Sequence, residues 1–336
     1  MQADPVAVLE AMYELGGDEE RWIRAFAERA HPLLDQGLGV MGWTYRLGPG
    51  GQEVGTGLMC GAPDEGQRAR MMAIVDGWRS VPEVQAIALR GYARGPVGTL
   101  FHPSDLRDTG VRPYIDQFRT LMQCADVVRV SVTDPSGCGA ALGALVPLGE
   151  RPRIAHRATL ARLATHLRCA LRARQSAQPE DALMQPDGKL VHCEEAAEHR
   201  ETRTALREAA RTIDRARGRM RRRDPEGAVA LWRGLVDGTW TLVDRHESDG
   251  RRYVVARRNT PAESGLPGLE PRERACLLFV AMGHSQKLVA YELGLSEASV
   301  SRLLKRAMAK LGLRSRAEVA QLLASLAAAA AARAST

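Results

Sequence analysis

The sequence predicts α+β modules over its first 258 residues, followed by an all-α domain of four short helices. Three observations carry this. Paired strand patterns joined by Gly-, Pro- and Asp-bearing turns recur between helical stretches as far as residue 258. A Pro- and Gly-containing linker, 259–268, then interrupts the chain. From Leu269 onward apolar residues recur only at helical spacing, punctuated by Gly283, Gly294 and Gly312. A chain of 336 residues is long enough for two or three domains, each with its own core.

Taken in order, Val8, Leu9, Met12 and Leu15 fall at helical spacing. Gly16-Gly17 breaks the run, and Trp22, Ile23, Phe26, Ala30 and Leu33 resume it. A hairpin is expected next, with strands 38–47 and 52–60 about a Gly48-Pro49-Gly50-Gly51 turn. A helix over 64–79 leads into a Pro- and Gly-punctuated stretch. A second hairpin joins 126–133 to 138–147 through Asp134-Pro135-Ser136-Gly137. A basic amphipathic helix over 157–175, with Leu160, Leu163, Leu167 and Leu171 on one stripe, closes the unit. This order resembles a GAF-like sensor module over roughly 18–175. The segments that carry the resemblance are the Asp134–Gly137 turn with Ala141-Leu142-Gly143-Ala144, and the closing Leu160-Ala161-Arg162-Leu163-Ala164-Thr165-His166-Leu167.

After a linker at 176–186, a short hairpin is expected across Pro186-Asp187-Gly188. One long helix over 194–223 follows, carrying ten arginines between 200 and 223. Its apolar positions Leu206, Ala209, Ile213, Ala216 and Met220 have the spacing of a coiled-coil seam, a candidate dimer surface. Strands 240–245 and 253–257, turning at Ser248-Asp249-Gly250, complete a unit at 182–258 that resembles a shortened PAS-like module or a helical connector. The domain plan is therefore 1–175, 182–258, the linker 259–268, and 269–336.

Charge is unevenly placed. Residues 1–193 carry a net −1, while 194–258 and 259–336 carry +4 each, so the whole excess of +7 lies in the C-terminal part. That is the electrostatic footprint expected of a nucleic-acid partner. The six cysteines form no C-x-x-C pair, as suits a reduced cytosol, and neither a disulfide framework nor a metal site is expected. The segment Met1–Pro5 lacks the basic and apolar regions of a secretory signal, and no run of about 18 apolar residues suggests a membrane span. A cytoplasmic location follows as the expectation.

The segment after Leu269 carries the chemistry. Pro271 suits the first turn of a helix and Gly283 its end. Ser285 opens a short helix stopped by Gly294, and Ser296 caps a third helix that runs to Gly312. Ser315-Arg316-Ala317-Glu318 is a capping box for a fourth, whose Val319, Leu322, Leu323 and Leu326 form a second candidate dimer surface. Small Ala290 permits close approach of the middle helices, Gly294 four residues later permits a tight turn with positive φ, and Val300 six further on packs the second helix on the first. Those offsets define a helix-turn-helix.

Here the sequence resembles the LuxR-type regulators. The matching residues are Leu269, Pro271-Arg272-Glu273-Arg274, Leu277, Gly283, Ser285, Lys287, Val289-Ala290, Leu293-Gly294-Leu295-Ser296, Ser299-Val300, Lys310-Leu311-Gly312-Leu313 and Arg314-Ser315-Arg316-Ala317-Glu318. Three residues depart from the family pattern. Glu270 stands in place of a capping Thr, Leu288 in place of Glu, and Leu303 in place of His. The resemblance implies that the third helix enters the major groove. With Val300, Leu303 and Ala307 toward the core, Ser301, Arg302, Lys305 and Arg306 face outward for base-edge or nearby phosphate contacts, and Lys287 and Ser299 for phosphates. The expected protein is a sequence-specific transcription regulator binding double-stranded DNA as a homodimer, with a small-molecule or protein ligand acting at the N-terminal modules. A protein-interaction scaffold, in which the terminal domain serves dimerisation, is the alternative.

Other constellations do not reach the same standing. His192-Cys193-Glu194-Glu195 with His199 matches no metal-site spacing. Asp134-Pro135-Ser136-Gly137 is turn chemistry rather than a nucleophile elbow, Gly137-Cys138-Gly139 lacks the third glycine of a dinucleotide loop, and Cys138 reads as a core thiol. No set of catalytic residues stands out, so neither an enzyme nor a cofactor is expected. A phosphoacceptor receiver would need a lysine that 1–193, with Lys189 alone, does not offer. An acyl-homoserine-lactone receptor is set aside because Trp43 and Tyr45 sit too close together, on what the pattern suggests are opposite strand faces.

Overall fold

The computed structural model describes residues 3–14, 16–48, 51–61, 66–78, 81, 83–84, 95–133, 138–175, 181–194, 197–236, 240–246, 251–258, 268–281, 284–313, 315 and 318–319. Leu15, the expected turns at Pro49-Gly50, 134–137 and 248–250, residues 176–180 and 259–267 of the two linkers, Glu195, Gly283, and Leu322, Leu323 and Leu326 of the fourth helix lie outside those residues. The chain divides into two compact units, Met1–Arg168 and Cys169–Thr336.

In the first unit a five-stranded antiparallel sheet runs in the order β2-β1-β5-β4-β3, so the strands at its centre are far apart in sequence. The strands are β1 (Val40–Gly48), β2 (Gly51–Cys60), β3 (Val97–Thr99), β4 (Cys124–Thr133) and β5 (Cys138–Pro147). Helices α1 (Pro5–Tyr13) and α2 (Glu19–Leu34) are each opened by an aspartate, Asp4 and Asp18, whose side chains accept from backbone N–H groups of the first turn. Trp22 Nε1 donates to the Met12 carbonyl at 2.8 Å and its ring meets Phe26 edge to face, which locks α1 on α2. Tyr13 and His166 share a buried hydrogen bond of 2.9 Å, fastening α5 (Arg157–Gln175) to α1. Helix α2 lies so close to β1 that a Cβ on Gly42 would sit 2.6 Å from Ile23.

On the other face of the sheet α3 (Gly66–Trp78) and α4 (Arg112–Met122) close a second apolar layer. Met71, Ile74, Ile115 and Phe118 pack there with Met41, Val127 and Leu145. Trp43 and Tyr45 belong to this face together, which corrects the expectation that they oppose each other. Side chains alternate along a strand with period two, so a spacing of two returns to the same side. Tyr45 pairs with Gly139 and Trp43 with Ala141, and β1 runs regularly against β5. A Cβ on Gly139 would overlap the Tyr45 ring, whose hydroxyl donates to the Val132 carbonyl at 2.8 Å. The short β3, inside the punctuated stretch, has no strand pattern of its own and exists by pairing with β4.

The second unit holds another five-stranded antiparallel sheet, in the order β7-β6-β10-β9-β8. Its strands are β6 (Ala182–Met184), β7 (Leu190–Cys193), β8 (Leu235–Val236), β9 (Trp240–His246) and β10 (Arg252–Arg258). Counted within each sheet, both orders read second, first, fifth, fourth, third. The expected single helix over 194–223 is instead α6 (Arg200–Arg215), continued by a π-wound segment Ala216–Met220 and a turn Arg221–Arg223. Gly218 leaves helical geometry at ψ −136°, the break that a residue without a Cβ allows. Leu206, Ala209, Ile213 and Ala216 are buried within this chain, so those seam positions are already used. The cause is visible in the long-range contacts: Arg217 pairs with Asp244 and stacks on Trp232, 4.6 Å from the ring centre. Helix α7 (Pro225–Leu231) follows, capped by Asp224, which accepts from Gly227 N–H at 2.9 Å.

Candidate nucleic-acid interface

Helices α8 (Pro271–Ala281), α9 (Gln286–Leu293) and α10 (Glu297–Lys310) enclose one core. Leu277, Phe279, Val289, Ala290, Leu293, Val300, Leu304 and Ala307 are all buried in it. The stripe on α10 runs through Leu304, 4% exposed, rather than through Leu303, which is half-buried at its edge. The expected Val300-Leu303-Ala307 face thus becomes 300-304-307. A four-then-three spacing follows the 3.6-residue turn as well as the reverse does, and packing against α8 selects it.

Local chemistry fixes both ends of the turn. Ser285 Oγ accepts from Leu288 N–H at 3.2 Å and starts α9. Gly294 ends it with φ 64°, in the left-handed region, and Leu295 N–H returns to the Ala290 carbonyl at 2.8 Å. Ser296 Oγ then accepts from Ser299 N–H at 3.2 Å and opens α10. The same closure recurs at the far end, where Gly312 has φ 68° and Leu313 N–H reaches the Met308 carbonyl at 2.9 Å. The start of the fourth helix is present in the described residues, with Glu318 N–H donating to Ser315 Oγ at 3.2 Å.

With α10 held on its apolar side, Ser301, Arg302, Lys305 and Arg306 stand exposed on its outer face, and Lys287 is exposed in the first turn of α9. Ser299 is half-buried and already engaged: its hydroxyl meets Ser296 Oγ at 2.9 Å and accepts from Arg302 at 3.2 Å. Arg306 is engaged as well, its Nε lying 3.2 Å from Glu273.

Glu273 is the residue that sequence reasoning did not single out. Its side chain is only 1% exposed. One carboxylate oxygen accepts from Glu270 N–H at 3.0 Å and from Lys310 Nζ at 2.7 Å, and the other faces Arg306. The Lys310 hydrogen bond, joined by the Glu270 N–H and the charges of Lys310 and Arg306, holds the carboxyl below its ordinary range despite the burial that opposes it. Glu273 therefore ties the first turn of α8 to the last turn of α10. Its position three residues after Glu270 is the capping-box interval, which was a usable signal; the partner 37 residues away was not.

A hydrogen bond links this domain to the rest of its unit: Tyr291 of α9 donates to the Val229 carbonyl of α7 at 2.9 Å. The set-aside His192 and Glu194 form an exposed pair at 2.8 Å, and no His/Cys/Asp/Glu group suited to a metal occurs among the described residues. All six cysteines are free, and no helix among the described residues is long and apolar enough to cross a membrane.

No match was found among curated proteins. The chain is similar to the crystal structure of Escherichia coli SdiA at a TM-score of 0.29 and 12% identity, over 86% of this chain and 83% of that one. Residues 268–323 match the family described as bacterial regulatory proteins, luxR family. The C-terminal segment is thus a LuxR-family helix-turn-helix domain, and the function that such a domain implies is DNA-binding regulation of transcription.

Proposed function

We propose that the chain is a sequence-specific, cytoplasmic regulator that binds operator DNA as a homodimer and is governed by a ligand or partner at its N-terminal modules. The observation that carries this is the outer face of α10, where Ser301, Arg302, Lys305 and Arg306 stand exposed over two turns of a helix whose opposite face is locked in a core. Arg302 and Lys305 donate to guanine edges or adjacent phosphates, Ser301 reaches either, and Lys287 grips a phosphate. Ser299 contributes through its hydroxyl, and Arg306 contributes while retaining Glu273. The turn and core positions Ala290, Gly294 and Val300 hold α10 at the angle this requires.

A single helix-turn-helix contacts few base pairs, so specificity calls for two copies on half-sites about one helical turn apart. Because the seam positions Leu206, Ala209, Ile213 and Ala216 are buried, the dimer surface belongs elsewhere, and the helix opened by Ser315 is the segment we assign to it. The GAF-like reading of 1–175 and the PAS-like reading of 182–258, with 269–336 as the DNA-binding domain, draw support from the common strand order of the two sheets.

The test begins with selection of bound sites from a random duplex pool. Arg302→Ala with Lys305→Ala is expected to abolish preference for the selected site, each base contact being worth about 1–3 kcal/mol, with an unchanged melting temperature. Unimpaired site preference in that variant overturns the assignment. Light scattering of the full chain with and without the site reads the dimer.

A further inference from the structure

We propose a second duplex-binding surface: the exposed arginines that run from α6 to the start of α7 contact the phosphate backbone beside the site read by α10. This rests on the DNA-binding reading above and extends it. Arg203, Arg207, Arg211 and Arg215 stand at four-residue intervals on α6 and are all exposed, as are Arg219, Arg222 and Arg223 after the π-wound segment. The opposite face of α6 is filled by Leu206, Ala209, Ala210 and Ile213, so the arginine face is fixed outward.

The charges on this face are not all spent internally. Arg211 donates to the Asp187 carbonyl and Arg215 pairs with Glu208. Arg203, Arg207, Arg219, Arg222 and Arg223 carry no hydrogen bond or ion pair among the described residues. Four helical residues rise about 6 Å. Phosphate charges follow one another about every 3.4 Å of axis along each strand, so a row of cations at this interval can meet several of them.

Its position next to the reading domain comes from one short connection. Arg223 lies two residues before α7, and the Val229 carbonyl of α7 holds the Tyr291 hydroxyl. Six residues of chain, turned at the non-helical Asp224, separate Arg223 from Val229 by at most about 20 Å. On α9, Lys287 stands one turn before Tyr291 on the same face, about 6 Å away along the axis. Lys287, Tyr291, α7 and Arg219–Arg223 thus form a continuous run, with cations at both ends. Guanidinium groups are suited to this use, since they remain charged and fork onto phosphate oxygens.

The test uses the full chain and a duplex of random sequence, measured at several salt concentrations. The probe variant carries Arg203→Gln, Arg207→Gln, Arg219→Gln, Arg222→Gln and Arg223→Gln, with thermal melting to verify the fold. The expected result is a salt dependence shallower by roughly three to five in log–log slope and affinity lower by at least tenfold near 0.1 M salt. The corresponding five Arg→Lys changes should restore most of the slope. The site preference obtained by selection should be unaltered in both variants.

A glutamine variant that melts normally and binds with the wild-type slope overturns the proposal and leaves this face to an acidic protein partner. In that case loss of site preference in Arg302→Ala/Lys305→Ala shows that the α10 reading still stands. Wild-type protein with no duplex affinity at any salt overturns both.

Discussion

Asp126 in the first unit and Glu273 in the second are both carboxylates taken almost wholly out of water, at 9% and 1% exposure, yet their chemistry runs in opposite directions. Asp126 accepts from Val127 N–H at 2.7 Å and Phe101 N–H at 3.2 Å, while the Arg119 cation acts on it only through space. Burial dominates, and its pKa is pushed up to about 6. Glu273 has two cations in direct contact and is held below the ordinary range. Burial alone therefore does not decide the charge of a carboxylate. What decides it is whether a cation replaces the lost water.

The contrast gives opposite pH responses. A carboxyl whose pKa is raised on folding stabilises the fold below its unfolded value and loses that contribution as pH climbs through the folded value. For Asp126 the window runs from about 4 to about 6. Asp126→Asn should match wild type near pH 4 and exceed it by up to about 3 kcal/mol above pH 7, because a tenfold change in proton affinity corresponds to about 1.4 kcal/mol. Thermal melts of both proteins across that range test this; parallel curves would mean that Asp126 stays ionised throughout. Glu273, with its lowered pKa, contributes above the ordinary 4.5 and loses the contribution as pH falls below it. Glu273→Ala, which removes a helix cap and two ion pairs together, should cost about 2 kcal/mol at pH 7 and much less near pH 3. Hydrogen–deuterium exchange over 271–310 would localise the loss.

The smallest of the three effects separates charge from backbone. Gly294→Val puts a β-branched residue at φ 64° and should destabilise the helix-turn-helix domain by about 1 kcal/mol or somewhat more. Because no titrating group is touched, the penalty should be the same at pH 4 and pH 7. A pH-dependent penalty would show that the turn and the Glu273 clamp are coupled.

What the sequence disclosed depended on the range of the interactions involved. Caps act within three or four residues, so Ser285, Ser296 and Ser315 could be assigned from the sequence alone, and each accepts the expected N–H group. Hairpins are nearly as local: the predicted pairing of 38–47 with 52–60 lies close to β1 and β2. The differences came from distance or from missing pattern. The heptad-like positions of α6 looked like a seam between chains because the sheet they pack against is assembled from strands before and after the helix. Two-residue β8 is too short to leave a periodic signal, and Glu273 needed Lys310 to reveal its role. The exposed residues of α10 were legible for a simpler reason, since a helix with one apolar stripe leaves little choice for the rest.

The strand order of the sheets also sets the tempo of assembly. In the first unit β1 sits between β2 and β5, and Met41 faces Gly143, so the centre of the sheet cannot close until about a hundred intervening residues have been gathered. In the helix-turn-helix domain the turn and both caps join residues a few positions apart. Refolding from denaturant should therefore be staggered, with the three helices forming early and the long sheet last. On the ribosome the order of emergence opposes this, because the sheet is made first. Its five strands are complete once Pro147 has left the exit tunnel, well before the fast-folding helices are available.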